Sequence, residues 1–231
     1  MRSDSGRFEG FPASGLRFLE QLAKHNERDF FKPRKELYER DLLAPMRAFV
    51  LEVSEALRRA KIGIGGDAKR SIFRVYRDVR FAADKSPYRT NVAAYLSYDG
   101  ERDTPGGLYV HVGPDRKFFS VTFYNIPKPM LQRWREEMAR RPARFRAVLR
   151  ALARRGHTLV PPEEWDDSLA RMPRGFAGQA ESDLAPYFRL RSFSVRRPLT
   201  RADVTSRKML GHAVTFAKEL KPLLDFGWSL D

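Results

Sequence analysis

The apolar residues of this chain follow two different periods, and the order of the periods constrains the fold. Between residues 11 and 60 they recur every three or four positions, as they do in amphipathic helices. From Ser71 to Phe123, short runs rich in β-branched and aromatic residues alternate with turn residues at hairpin length, which predicts an antiparallel meander. Helical spacing returns after Pro127. This succession predicts an α+β fold whose helices pack mainly on one face of the sheet.

We expect a single domain, because 231 residues are many for one domain and few for two. Its expected parts are a flexible N-terminus at 1–8, a helical part at 9–61, an antiparallel sheet at 71–124, and a helical part with one further strand at 127–231. The sheet is expected to have four to six strands in all.

Single residues mark several element boundaries. Pro142 divides two predicted helices, and Thr200 with Asp203 three residues later predicts a capping box. The last helix is expected to end near Pro222, and alternation over 188–196 predicts a strand.

The charge of the chain excludes little by itself. Lys and Arg number 44 against 29 Asp and Glu, a formal charge of +15. Three interpretations stay open: an arginine-rich surface without a polyanionic partner, nucleic acid as the partner, or an acidic small ligand. The predicted helices over 128–155 carry nine arginines and two glutamates, and a nucleic-acid-binding module would contact phosphates there.

Several classes of protein are excluded by what the sequence lacks. Without cysteine there is no disulfide, thiol nucleophile or cysteine-ligated zinc. No apolar run is long enough for a secretory signal or a spanning helix, so a cytoplasmic protein with no membrane partner is expected. No HExxH, GxSxG, Walker or dinucleotide motif occurs. The sequence identifies no cofactor, and convergence of Asp78, Asp84 and Asp99 on a metal is not predicted from their spacing.

The segment over 72–91 carries most of the functional argument. Its first ten residues are predicted to form a strand, with Phe73, Val75 and Phe81 on one face. Unpaired buried charge is costly, so the charges of this segment either meet solvent or neutralise each other and a ligand. Its candidate site residues are Arg74, Arg77, Asp78, Arg80, Asp84, Lys85, Tyr88 and Arg89.

This segment also carries a family resemblance. The pattern RxYRDxRFxxDKSPYRTN at 74–91, with FEGF at 8–11, LQRWR at 131–135 and PRGF at 173–176, resembles domain of unknown function 2461. That family comprises conserved bacterial and fungal proteins, and the similarity extends from about Phe8 to Phe226. The resemblance implies membership and no activity.

Two interpretations of the segment follow from its residues. In the first, Arg74, Arg80, Lys85 and Arg89 converge on a phosphate or carboxylate, and Asp78 orients the arginine forks. In the second, the same charges form an ion-pair network that holds the chain at a bend, with Tyr88 packed over it.

The first interpretation, binding of an anionic ligand, is our leading functional prediction. His111, in the predicted strand 107–112, and Arg174, in a Pro-Arg-Gly turn, are its candidate additions from outside the segment. For Arg174 the alternative is a surface loop anchored by Phe176. An enzyme acting on a phosphorylated or nucleotide substrate, and a nucleic-acid-binding module, are the functional alternatives.

Overall fold

The fold of the chain is α+β, as predicted. The computed structural model describes residues 6–98, 100, 104–159 and 167–230. Its strands are β1 (Val92–Ser97), β2 (Gly107–Val112), β3 (Lys117–Phe123) and β4 (Phe193–Pro198). They form an antiparallel sheet in the order β1-β2-β3-β4, and four strands lie within the predicted range.

Helices precede, separate and follow these strands. The α-helices are α1 (Ala13–Lys24), α2 (Arg28–Phe31), α3 (Lys35–Tyr38), α4 (Ala44–Arg59), α5 (Lys128–Arg140), α6 (Pro142–Ala153), α7 (Ala185–Arg189), α8 (Arg201–Val204), α9 (Lys208–Glu219) and α10 (Lys221–Trp228). Short 3₁₀ helices lie at Lys32–Arg34 and Ala177–Gln179, and a π-helix lies at Glu39–Leu43. No helix of the described chain is both long and apolar enough to cross a membrane.

The chain divides into two compact units. The first unit comprises Met1–Thr104, Leu108–Phe119 and Arg197–Phe216. The second unit comprises Pro105–Gly107, Ser120–Arg196 and Ala217–Asp231.

The first unit is built around aromatic rings from helices and strands. Phe49 of α4 meets Phe8 edge-on at 5.1 Å and Phe119 of β3 in a stack at 6.2 Å, measured between ring centroids. Both phenylalanines of the segment Phe8–Phe11 are buried, and the Phe11 N–H donates to the carbonyl of Val204 at 2.8 Å. Burial of these rings stabilises the unit by removing apolar surface from water.

A narrow hairpin precedes β1 in the first unit. Ile72 forms an isolated antiparallel bridge with Ala94, and Tyr76 forms another with Tyr88. The predicted strand 72–81 is therefore wrong: Ile72 and Tyr76 form only these isolated bridges, and residues 78–86 form the loop of this hairpin. Val75 is buried as predicted, whereas Phe81, placed on the same face, lies in the loop and is 95% exposed.

The second unit packs around Trp134 of α5. Its indole stacks on Phe193 at a centroid distance of 4.0 Å and meets Phe226 edge-on at 5.0 Å. The spacing of α5 and α6 and their division at Pro142 are confirmed.

One predicted boundary is corrected, and two are confirmed. The predicted strand 188–196 is shifted, because residues up to Arg189 complete α7 and β4 begins at Phe193. The helix expected to end near Pro222 is α9, which ends at Glu219 as predicted. It is not the last helix, because Pro222 lies in the first turn of α10, where its missing N–H costs no hydrogen bond. Thr200 and Asp203 form the predicted capping box at α8.

Candidate functional site

The hairpin that carries the charged segment is held by its own backbone. The Arg77 N–H donates to the Pro87 carbonyl at 2.9 Å, and the Arg89 N–H donates to the Val75 carbonyl at 2.7 Å. These two bonds fix the base of the loop at 78–86. The side chains of the segment are thus presented from a closed hairpin.

An ion pair between Arg77 and Asp84 holds this loop closed. The Arg77 guanidinium bonds the Asp84 carboxylate and also donates to the Ser86 carbonyl at 3.1 Å. Asp84 further accepts the backbone N–H of Ser86 at 2.9 Å and its hydroxyl at 2.6 Å. The hydrogen bonds from Ser86 and then from Arg77 lower the pKa of Asp84 to about 2.

Two further basic residues of the loop are also engaged within it. Arg80 donates two bonds to the Asp78 carboxylate, at 3.0 and 2.7 Å, and these bonds lower the pKa of that carboxyl. The Lys85 ammonium donates to the carbonyls of Val79 at 3.1 Å and Arg80 at 3.4 Å. This part of the segment therefore has the geometry of the ion-pair network.

Tyr88 is a packing residue of the first unit. Its ring is buried and stacks on Phe31 at a centroid distance of 4.1 Å. Asn26 clamps its backbone, because the side-chain amide accepts from the Tyr88 N–H at 3.0 Å and donates to the Tyr88 carbonyl at 2.9 Å. The hairpin is thereby attached to the chain between α1 and α2.

Arg74, in contrast, lies at the rim of a pocket in the first unit. The pocket has a volume of about 250 Å³. Its lining residues are Phe31, Lys35, Tyr38, Glu39, Leu43, Arg47, Ala68, Lys69, Ile72, Phe73, Arg74, Val75 and Tyr76. They come from α2, α3, the π-helix, α4, the turn before the hairpin and the first arm of the hairpin.

Three cations of this pocket form no side-chain hydrogen bond and no salt bridge within the part of the chain that the structure describes. They are Arg47, Lys69 and Arg74, and all three are exposed. Lys35, also at the pocket, lies 3.4 Å from the carboxylate of Glu39. The pocket therefore holds three cationic side chains without a salt bridge, although the carboxylates of Asp67 and Asp78 interact electrostatically with Lys69 and Arg74.

A buried phenol forms part of the pocket wall. Tyr38 is 4% exposed, and burial raises its pKa to about 12 although nearby Arg47 lowers it. Its hydroxyl stays protonated at neutral pH and is available as a donor. The π-helix that follows Tyr38 widens the helical path along the pocket, and such bulges are frequent at functional sites.

With this geometry established, comparison with known proteins decides the family. A family described as "Conserved hypothetical protein (DUF2461)" matches residues 14–226 of the chain. The chain belongs to the DUF2461 family. Comparisons with curated proteins and with solved structures find no match.

The DUF2461 segment at 74–91 thus divides into two parts. Its loop residues pair among themselves, whereas Arg74 joins a pocket whose other cations come from outside the segment. The sequence analysis missed Tyr38, Arg47 and Lys69. No local pattern marks them, because they lie on separate elements that only the tertiary fold brings together.

The remaining predicted site residues do not line this pocket. Arg89 is exposed, with its guanidinium carbon 6.0 Å above the Phe73 ring. His111 stacks on Phe118 at 4.9 Å, and its Nδ1 lies 3.2 Å from the Tyr109 hydroxyl, so the histidine belongs to an aromatic row on β2 and β3.

Arg174 lies in the second unit of the DUF2461 chain. It is exposed on a loop in which Gly175 has a φ of +87° and Phe176 is buried, an arrangement that matches the anchored surface loop. Its contact with the charged segment stays a prediction.

The basic helices of the second unit use most of their arginines internally. Six of the nine have partners: Arg133 with the carbonyl of Leu230, Arg135 with those of Phe188 and Leu190, Arg140, Arg141 and Arg144 with Glu137, and Arg146 with Asp183. Only Arg150, Arg154 and Arg155 have no partner among the described residues. Nothing in this pattern favours a phosphate-binding face.

A larger open cavity of about 680 Å³ in the second unit carries no net charge. Its charged lining residues are Arg133, Glu136, Glu137 and Arg140. Among the described residues no cluster of three or more histidines and carboxylates is arranged to hold a metal ion. Asp99, considered with Asp78 and Asp84, lies outside the described residues.

Proposed function

We propose that this DUF2461 protein binds an anionic, phosphate- or carboxylate-bearing ligand in the pocket around Arg74. The observation that carries the proposal is the set of three cations without a described side-chain hydrogen bond or salt bridge, Arg47, Lys69 and Arg74, around one pocket with a buried phenol in its wall. Arginine forks and an ammonium bind phosphate and carboxylate by charge-assisted hydrogen bonds.

Electrostatics supports an anion at this place. Three like charges around one pocket repel each other, and each keeps its hydrogen-bond donors unused within the described chain. A bound anion relieves the repulsion and accepts these donors together. The ion pair of Lys35 with Glu39 at the same pocket shows that the free cations are not a general property of its lining.

The loop of the charged segment supports the site without contacting the ligand. The Arg77–Asp84 and Arg80–Asp78 pairs close the loop, and the Tyr88–Phe31 stack attaches the hairpin to the helices. The backbone of Arg74 is thereby held in the first arm of the hairpin, so less backbone entropy is lost on binding.

The experiment compares thermal unfolding of the full chain with and without phosphate, sulfate, glycerol phosphate and succinate. A ligand that binds only the folded state stabilises it by about 2.7 kcal/mol at a hundredfold excess over its Kd, so the unfolding midpoint must rise. Arg47→Ala and Arg74→Ala are expected to remove this rise.

Arg150→Ala is the matched control, because Arg150 is exposed and has no partner among the described residues. It removes the same charge from the second unit and is expected to leave the anion response unchanged. No midpoint rise with any of these anions, or an equal loss in Arg150→Ala, would refute the proposed site.

A further inference from the structure

We infer that the ligand of this pocket is a nucleotide, bound by its phosphate at Arg47, Lys69 and Arg74 and by stacking of its base on Tyr76. The inference rests on the proposed function and names the class of ligand. It is carried by a second observation, the exposed aromatic ring at the rim of the same pocket.

Tyr76 is unusually exposed for an aromatic residue with packed neighbours. Its side chain is 51% exposed, yet its ring lies 5.5 Å from Tyr88 and 6.3 Å from Phe31, measured between centroids. Tyr88 and Phe31 are themselves stacked at 4.1 Å. One side of the Tyr76 ring is therefore supported by buried rings, while the rest meets solvent. A fixed, half-covered ring is a suitable surface for a planar base.

The ring and the cations are parts of one surface. Val75 is buried and stands between Arg74 and Tyr76, so these two residues share the outward side of the extended hairpin arm. Both line the pocket. A ligand with an anionic end and an aromatic end can therefore contact Arg74 and Tyr76 at once.

Charge and volume favour a mononucleotide over other anions. A phosphomonoester carries about −1.5 to −2 charges at neutral pH, which balances the charge of the three cations better than the single negative charge of a monocarboxylate does. The pocket of about 250 Å³ is smaller than the roughly 300–1,000 Å³ typical of sites for drug-sized ligands. This volume suits the phosphate end of one nucleotide, with the base outside the pocket against Tyr76, and is too small for a dinucleotide.

The same chemistry has two sources, a free mononucleotide and the phosphorylated end of a single strand. Both offer one phosphomonoester with one base. The experiment therefore includes a mononucleotide and a short 5′-phosphorylated oligonucleotide as separate ligands.

Calorimetric titration of the full chain with four small ligands tests the inference. These are adenosine 5′-monophosphate, ribose 5-phosphate, adenosine and inorganic phosphate. We expect the nucleotide to bind about tenfold more tightly than ribose 5-phosphate, since a stacked base contributes roughly 1–3 kcal/mol and 1.4 kcal/mol is a factor of ten.

Substitution of the ring separates stacking from phosphate binding. Tyr76→Leu is expected to lower nucleotide affinity about tenfold and to leave ribose 5-phosphate affinity unchanged, whereas Tyr76→Phe keeps the ring and retains the affinity. Tyr124→Leu, at a tyrosine that is 53% exposed in the second unit, is the matched control and is expected to have no effect.

The outcomes distinguish this inference from the proposed function. Equal affinity for the nucleotide and ribose 5-phosphate would overturn the base site and leave the anion pocket standing. Absence of binding by any phosphate ligand would overturn both. Tighter binding of the phosphorylated oligonucleotide, with the same loss in Tyr76→Leu, would support nucleotide recognition and identify a strand end as the source.

Discussion

At the scale of single residues, a charge has meaning only through its partner. Arg77 and Arg74 are three positions apart in one motif, yet Arg77 pairs with Asp84 and Arg74 lines a pocket without a described partner. Composition alone treats both as equal contributors to the formal charge of +15. Only their surroundings separate a structural arginine from a candidate ligand-binding arginine.

Glu52 is a second residue whose surroundings define its role. It accepts the Phe8 N–H and two hydrogens of the Arg207 guanidinium, whose Nη2 lies 2.7 Å away. Burial raises the pKa of this carboxyl, but the bonds from Arg207 and Phe8 outweigh burial and hold the pKa below its ordinary value of 4.5. The carboxylate thus ties the N-terminal segment to α4.

The pH dependence of stability follows from the sign of this shift. Because the folded pKa of Glu52 is depressed, its stabilisation is fully present above the ordinary value of 4.5 and is lost as pH falls through the folded pKa. We expect Glu52→Gln to lower the free energy of unfolding by about 1–3 kcal/mol at pH 7. Below pH 4 this difference in stability from the natural chain is expected to become smaller. Urea unfolding at pH 7 and pH 3.5 measures this. A difference that is the same at both pH values would contradict the assigned role.

At the scale of elements, the N-terminal segment depends on one glycine. Gly10 has a φ of +109°, and a Cβ there would lie 2.4 Å from the backbone carbonyl carbon of Thr205. The motif FEGF therefore requires glycine for both its backbone angle and its close approach to the end of α8.

Gly10→Ala is expected to destabilise the protein by more than the roughly 1–2 kcal/mol of a left-handed backbone alone, because the backbone of Thr205 must also move. Gly211→Ala is the control: Gly211 lies in α9 with open space around its Cβ position, so alanine is expected to stabilise by up to about 1 kcal/mol. Thermal unfolding of both variants tests the pair. An unfolding midpoint of Gly10→Ala equal to that of the natural chain would show that residue 10 does not lie tightly against the backbone of Thr205.

The elements also show how far sequence reasoning reached. Periodicity located α5, α6 and the three strands of the meander, because burial of one face imposes a local repeat. It failed at 78–81, where hairpin pairing ends and strand-like residues continue into a loop. It also missed α10, since proline is compatible with both the end of one helix and the first turn of the next.

At the scale of the whole molecule, many of the basic side chains behind the formal charge of +15 pair with groups of the protein itself, and the rest lie at scattered positions. In the basic helices only Arg150, Arg154 and Arg155 have no described partner. We expect few counterions to be released when duplex DNA binds that face. Because each phosphate contact contributes about −0.9 to the slope of log affinity against log salt, three arginines give a slope no steeper than about −3. Binding measured between 50 and 200 mM salt tests this. A slope of about −6 that becomes shallower in the triple alanine variant of these arginines would instead support the nucleic-acid-binding module.

The sequence by itself determined the α+β class, the family and the segment that carries the densest charge, because period, composition and a long motif are local properties of the chain. The tertiary structure alone decided which of the charged side chains form ion pairs and which can bind a ligand. Arg47, Lys69, Arg74 and Tyr38 become one pocket only when helices and hairpin pack together. Neutralisation depends on distances in space, and these are not encoded at any fixed spacing along the chain.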